Sequence, residues 1–204
     1  MSHRSDEFGA RPGSEGCMRD LIITENITLD GVIDAAEGWF VPAADAEIDQ
    51  SDLIAALTEQ REAADAFLVG RTTFEEMRGY WPRQTDDETG VSDYLNRVAK
   101  YVVSSTLQDP EWEHSTVLRG PLRDEVEALK SAPGADIVVT GSMTIVADLI
   151  AERLVDEFRL FVYPVVLGRG RRLFEDATGV PELRLVQAQP FRSGIVLLRY
   201  RVDG

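Results

Sequence analysis

A repeated handover constrains this chain more than any other feature. Short apolar runs end in glycine or a small polar residue, and a helix-like stretch follows at once. Ala66-Phe67-Leu68-Val69 ends at Gly70, before helical character from Thr72 to Arg78. Ile137-Val138-Val139 leads to Gly141, before a helix from Ser142 to about Ala151. Lys100-Tyr101-Val102-Val103 ends at Ser104-Ser105, and a short strand follows at Ser115 to Leu118. The first run, Leu21-Ile22-Ile23 with Thr24 to Leu29, reads as a buried strand entering a turn at Asp30-Gly31. Strands that alternate with helices in this way predict an α/β fold with a central, mostly parallel sheet.

The remaining segments complete the pattern. Ser51 is placed to cap a helix from Asp52 to Ala64, with Leu53, Ile54, Leu57 and Ala64 on one face. Gly79-Tyr80-Trp81-Pro82 is expected to break the preceding helix, and a further helix is expected around Asp93 to Arg97. Pro121 fits a first helical position before Leu122 to Leu129. Glu157 to Val166 reads as a long strand, and Gly168-Arg169-Gly170 as a turn. Glu182 to Gln189 and Ile195 to Val202 alternate as an antiparallel hairpin through Ser193-Gly194. Residues 1–17 are polar with no hydrophobic stretch, and are expected to be a disordered extension. Residues 18–204 are expected to form one domain, which the length of 204 residues suits.

Charge and cysteine content narrow the function classes. With 21 Lys and Arg against 36 Asp and Glu, the net charge is −15. Such a surface repels phosphate backbones, so a nucleic-acid partner is not expected. An anionic ligand needs local positive potential. One cysteine, Cys17, allows no internal disulfide, which fits a reducing cytoplasm. With one Cys and two His, no zinc site is expected, and no window is apolar enough for a membrane span.

Candidate chemistry gathers at the strand ends. Gly70-Arg71-Thr72-Thr73, Ser104-Ser105-Thr106 and Thr140-Gly141-Ser142-Met143-Thr144 each precede a helix start or turn. Helix N-termini offer free N–H groups and partial positive charge, which suits phosphate. Arg71 adds a planar guanidinium able to grip phosphate with two bonds. The same residues also serve ordinary turns and caps. Neither Gly-x-Gly-x-x-Gly nor a phosphate-loop Gly-Lys-Ser/Thr is present.

These segments, in order, resemble the dihydrofolate reductase-like superfamily. They are most similar to its branch containing the reductase domain of riboflavin biosynthesis. The resemblance is carried by Thr28-Leu29-Asp30-Gly31, Leu68 to Glu75, Tyr80-Trp81-Pro82, Val102 to Ser105, Val139 to Ser142, and Leu154 to Phe174. It implies a three-layer fold with helices on both sheet faces, an NADPH cofactor, a heterocyclic small-molecule substrate and a homodimer. By the resemblance, Gly70, Arg71, Thr72 and Thr73 lie at the cofactor phosphates. Ser104 and Ser105 lie near the adenosine 2′-phosphate, and Gly141, Ser142, Met143 and Thr144 under the pyrophosphate. Leu29, Asp30 and Gly31 match the loop that closes over the nicotinamide. The family often has Gly-Gly, and many classical members a cis peptide, where this chain has Thr140-Gly141. Trp39, Phe40, Trp81 and Tyr163 are candidates to wall a flat-ring pocket, and otherwise belong to the core. Asp52, or Asp49 beside it, is a candidate substrate carboxylate, and otherwise serves the helix dipole. The basic run Gly168 to Arg172 is a candidate contact for an anionic substrate, and otherwise a surface turn. A zinc deaminase half would need His-x-Glu and Pro-Cys-x-x-Cys, which are absent. Two functions are therefore expected: an NADPH-dependent reductase, or a nucleotide-binding homodimer of the same fold without turnover.

Overall fold

A computed structural model describes residues 18–34, 38–40, 49–84, 87, 89–175 and 182–203. The proposed extension at 1–17 lies outside the described residues, as does most of the 38–49 loop. The elements run β1 (Leu21–Thr28), α1 (Ser51–Glu62), β2 (Ala64–Gly70), α2 (Arg71–Tyr80), a 3-10 turn (Trp81–Arg83), and α3 (Val91–Arg97). Then follow β3 (Ala99–Val103), β4 (Ser115–Leu118), α4 (Leu122–Ser131), β5 (Asp136–Val139), α5 (Met143–Ala151), β6 (Glu157–Tyr163), β7 (Leu183–Pro190) and β8 (Val196–Val202). They build one eight-stranded sheet in the order β4-β3-β2-β5-β1-β6-β8-β7. The pairs from β4 to β6 are parallel, while β8 and β7 are antiparallel, as the sequence pattern anticipates.

Alternation along the strands divides the core between two faces. Leu21 and Ile23 of β1 join Ala66 and Leu68 of β2 under α4 and α5, through Val126, Leu129, Val146 and Leu149. The opposite face carries two separate clusters. Phe67, Val69 and Val102 pack beneath α2 and α3 against Phe74, Tyr94 and Leu95. Phe161, Tyr163 and Leu197 pack beneath α1 against Leu53 and Ala56.

Four boundaries differ from the sequence expectation. Ser51 is the first residue of α1 rather than its cap, and its N–H donates to Asp49 Oδ1 at 2.9 Å. Ala64 belongs to β2, and Ile54 is exposed, so the buried stripe of α1 is Leu53 and Ala56. The sheet captures the end of that stretch before a further helical turn can form. Gly79 and Tyr80 continue α2, and the chain turns only at Pro82, which has no N–H to offer. β6 stops at Tyr163 because Pro164 cannot extend the ladder.

One buried cation seals the junction of α3 and β3. Lys100 is 1% exposed. Its Nζ donates to the Leu95 and Val98 carbonyls at 2.7 and 2.9 Å and lies 4.8 Å from the Trp112 ring centroid. These carbonyls end α3, where a cation is favoured. Burial pulls Lys100 down to about 8, against a smaller upward pull from Glu113. Between pH 8 and 10.5 the unfolded chain therefore holds a proton that the folded chain has released, so this group makes stability rise with pH. Denaturant unfolding of wild type and Lys100→Met across that window should show the difference moving in favour of wild type. A flat difference would contradict the shift.

Candidate functional site

The strand order places the carboxyl ends of β3, β2, β5 and β1 side by side. Open α/β sheets offer their ligand crevice at such an edge. Two helices start there: α2 begins directly after Gly70, and α5 begins after Ser142. The two starts are bolted together. The Gly70 N–H donates to Ser142 Oγ at 2.9 Å, and the Ser142 N–H donates to Thr73 Oγ1 at 3.1 Å. Backbone approach explains the glycines. A Cβ at Gly70 would stand 2.9 Å from Ile145 Cδ1. Gly141 has φ +62°, and its Cβ would come within 3.3 Å of Thr73 Cγ2. Ser142 itself is left-handed at φ 53°. Among the described residues every peptide bond is trans.

The structure therefore brings Gly70, Thr73, Gly141 and Ser142 into direct contact. Arg71, Thr72 and Thr144 are exposed at the helix starts, and Met143 is half-buried. Arg71 Nη1 lies 3.4 Å from Glu75 across one helical turn, a loose pair on the surface. Ser104 stands one strand further along, where its Oγ accepts from the Thr106 and Leu107 N–H groups at 3.2 and 3.0 Å. Ser105 beside it is exposed.

The loop after β1 has a different role for its acid. Asp30 accepts from Thr28 Oγ1 at 2.7 Å and from the Gly168 and Leu167 N–H groups at 2.8 and 3.3 Å. The Thr28 bond leads in holding it down at about 2. Arg172 donates from Nε to the Asp30 carbonyl at 3.0 Å. Gly170 lies so close to Val32 that a Cβ would meet Val32 Cγ1 at 2.7 Å. Asp30 and Arg172 thus clamp two loops together, while Leu29 projects 64% exposed. The basic turn, expected as a contact for an anion, has Arg172 engaged in this clamp. Asp52 and Asp49 are likewise engaged: both carboxylates take bonds from Arg192 in the β7–β8 turn.

The four aromatic candidates divide. Trp39 makes edge contacts with Phe40 and Tyr163, at centroid distances of 5.8 and 5.3 Å. Trp81 belongs to the other cluster, under α2 and α3, where it meets Tyr80 at 5.0 Å. Between these clusters lies β1, and there the structure reveals residues that the sequence reading passed over. Asn26 is exposed although its strand is central in the sheet. Glu25, on the opposite face, is 6% exposed. Among the described residues its Oε1 has no hydrogen-bond partner, and burial drives its pKa well above the ordinary range, against a smaller lowering by the Gly141 N–H. The signal was present as Thr24-Glu25-Asn26, three polar residues interrupting an apolar strand.

The model of the RibD C-terminal domain matches residues 19–197. The chain belongs to the RibD C-terminal domain family. The uncharacterized protein YyaP of Bacillus subtilis (strain 168) is 32% identical over 190 residues, covering 91% of this chain and 96% of that protein. A pyrimidine reductase-like protein from Corynebacterium diphtheriae has a similar structure, with a TM-score of 0.63, 18% identity and 97% of each chain covered. Dihydrofolate reductase from Enterococcus faecalis, in complex with NADP(H), aligns with a TM-score of 0.59 and 16% identity, over 91% of this chain and 97% of that one. The fold is thus that of dihydrofolate reductase. Among the described residues no helix is long and apolar enough to cross a membrane.

In this family member, Glu25 gives a direct test of the strand-tip electrostatics. Its folded pKa lies above the unfolded one, so the folded form holds a proton that the unfolded form has lost, and stability falls as pH rises through that window. Glu25→Gln keeps an acceptor for the Gly141 N–H without the ionisable group. It should be more stable than wild type at pH 7 to 8, with the advantage fading below pH 4. Equal pH profiles for the two proteins in urea unfolding would rule out a desolvated carboxyl.

Proposed function

We propose that this protein is a reductase that binds NADPH and passes hydride to a flat heterocycle of the pyrimidine or pterin type. The bolted helix starts, Gly70–Ser142–Thr73, carry this reading. They hold two helix N-termini side by side, close-packed through Gly70 and Gly141 against Ile145 and Thr73, and so concentrate the positive ends of α2 and α5 where phosphate would lie. In this assignment, Gly141, Ser142, Met143 and Thr144 hold the pyrophosphate from the start of α5. Gly70, Arg71, Thr72 and Thr73 hold phosphate from the start of α2, and Ser104 and Ser105 face the adenosine 2′-phosphate from the end of β3. Leu29 to Gly31 border the nicotinamide end. The local donors and Arg71 counter the negative field of the rest of the molecule.

When bound, the cofactor supplies the hydride. The chain's residues hold the ring, exclude water and align the accepting carbon. No side chain need form a covalent intermediate. Trp39 and Tyr163 form the wall for the heterocycle, and Trp81 sits across the crevice from them.

Titration with NADPH, followed by tryptophan fluorescence, should show micromolar binding. Arg71→Ala should weaken it about tenfold, equivalent to ~1.4 kcal/mol, and should reduce the preference for NADPH over NADH. Absence of binding at micromolar concentration, or equal affinity for the two dinucleotides in wild type, would refute the assignment. The alternative is a nucleotide-binding protein of this fold without turnover. It is favoured by Asp49 and Asp52, each of which accepts a hydrogen bond from Arg192. Loss of absorbance at 340 nm against a panel of pterins and aminopyrimidines separates the two readings.

The proposal includes a homodimer formed through the edge strand β7, where Leu185 and Val186 are 50% and 39% exposed. An unpaired edge with apolar side chains is a template for a second copy. Light scattering should give twice the chain mass for wild type and the chain mass for Leu185→Asp. A monomeric wild type would contradict this.

A further inference from the structure

We infer that Asn26 reads a planar amide edge, a carbonyl beside an N–H, on the ligand that enters the crevice. The inference rests on the reading of that crevice as the place where cofactor and heterocycle meet. β5 ends its pairing at Val139, opposite Ile23 of β1. Beyond that level the chain of β5 turns away through Gly141 and Ser142 into α5. The second half of β1 therefore has a strand neighbour on the β6 side and an open gap on the other. Asn26 lies in that half, in register with Phe161 of β6.

Phe161 is 1% exposed, sealed beneath α1, and yet its register partner Asn26 is exposed. On this face the cluster under α2 and α3 and the cluster under α1 stand apart, and Asn26 is the floor between them. The position is a poor one for asparagine. A central strand favours β-branched or aromatic residues, and asparagine is depleted there. Among the described residues its side chain makes no hydrogen bond. No described contact thus accounts for an amide at this point.

An amide side chain presents an acceptor, Oδ1, beside a donor, Nδ2. Its complement is another amide edge, joined by two parallel hydrogen bonds. Two ligand groups have this chemistry: the lactam edge of a heterocyclic substrate and the carboxamide of a nicotinamide ring. A site that hydrogen-bonds such an edge rejects analogues lacking it, because its own polar groups are then left unpaired.

The test uses the full chain, with Asn26→Val and Asn26→Ser. Both variants should melt no lower than wild type, and the valine variant should melt higher. A lowered melting temperature in both would make Asn26 a structural residue and overturn the inference. In one arm, wild type should bind lumazine about tenfold more tightly than 1,3-dimethyllumazine, whose ring is kept but whose N–H groups are blocked. In the other arm, it should bind NADP+ about tenfold more tightly than the 3-acetylpyridine analogue, in which a methyl replaces the amide nitrogen. Loss of the preference in the variants, in either arm, supports the inference and identifies which group Asn26 reads. Variants that keep both preferences, or a wild type that shows neither, overturn it. If NADPH fails to bind but the lumazine preference depends on Asn26, the cofactor assignment fails and the role of Asn26 stands.

Discussion

Two hydrogen bonds hold the working edge of this protein together. The Gly70 N–H meets the Ser142 hydroxyl, and the Ser142 N–H meets the Thr73 hydroxyl. They join the start of α2 to the start of α5 across the β2–β5 boundary. Each helix start has N–H groups without partners in its own helix. The bolt satisfies some of them internally and fixes the direction of the others. It also sets how close the two backbones come, which is why Gly70 and Gly141 admit no side chain without displacing Ile145 or Thr73. In a chain of net charge −15, such fixed dipoles are a local source of positive potential at this edge.

The other end of the sheet is organised by charge. Glu157 is 2% exposed and accepts from Arg159 Nε and Arg199 Nε, each at 2.7 Å. Desolvation opposes its ionisation, but the two guanidiniums outweigh it and hold its pKa below the ordinary value. Arg199 also donates to Gln187 at 3.1 Å, so the network reaches β6, β8 and β7. A buried carboxylate held this way fixes the register of the antiparallel strands to the parallel ones. The clamp of Asp30 with Thr28, Gly168 and Arg172 does similar work at the strand tips, joining the loop after β1 to the one after β6.

Local pattern and global fold agree over most of the chain, and their conflicts are concentrated. Among the described residues, Glu25 places a carboxyl oxygen without a hydrogen bond in a core, and Asn26 an exposed amide without a hydrogen bond on a central strand. Neither residue suits a strand taken alone. Both stand beside the gap that opens where β5 leaves the sheet. The resemblance makes Asp52 and Asp49 candidate substrate carboxylates near the first helix, with the helix dipole as the alternative, and in the structure both accept from Arg192. Sequence reading passed over Glu25 because an acid within an apolar strand has no meaning until its neighbours are known.

By itself, the sequence determined the alternation of strand and helix, the parallel sheet with its antiparallel hairpin, and the small residues at the strand tips. These follow from periodicity and from the conformational needs of glycine and proline, which act within a few residues. It carried the family as well, through the order of those segments along the chain. Tertiary structure alone decided which tips stand side by side, since strand order depends on connections across the whole chain. It decided that Trp81 packs apart from Trp39 and Tyr163, that Arg172 closes on Asp30, and that Asn26 lies open between two clusters. A side chain's partners come from distant segments, and only packing brings those segments to it.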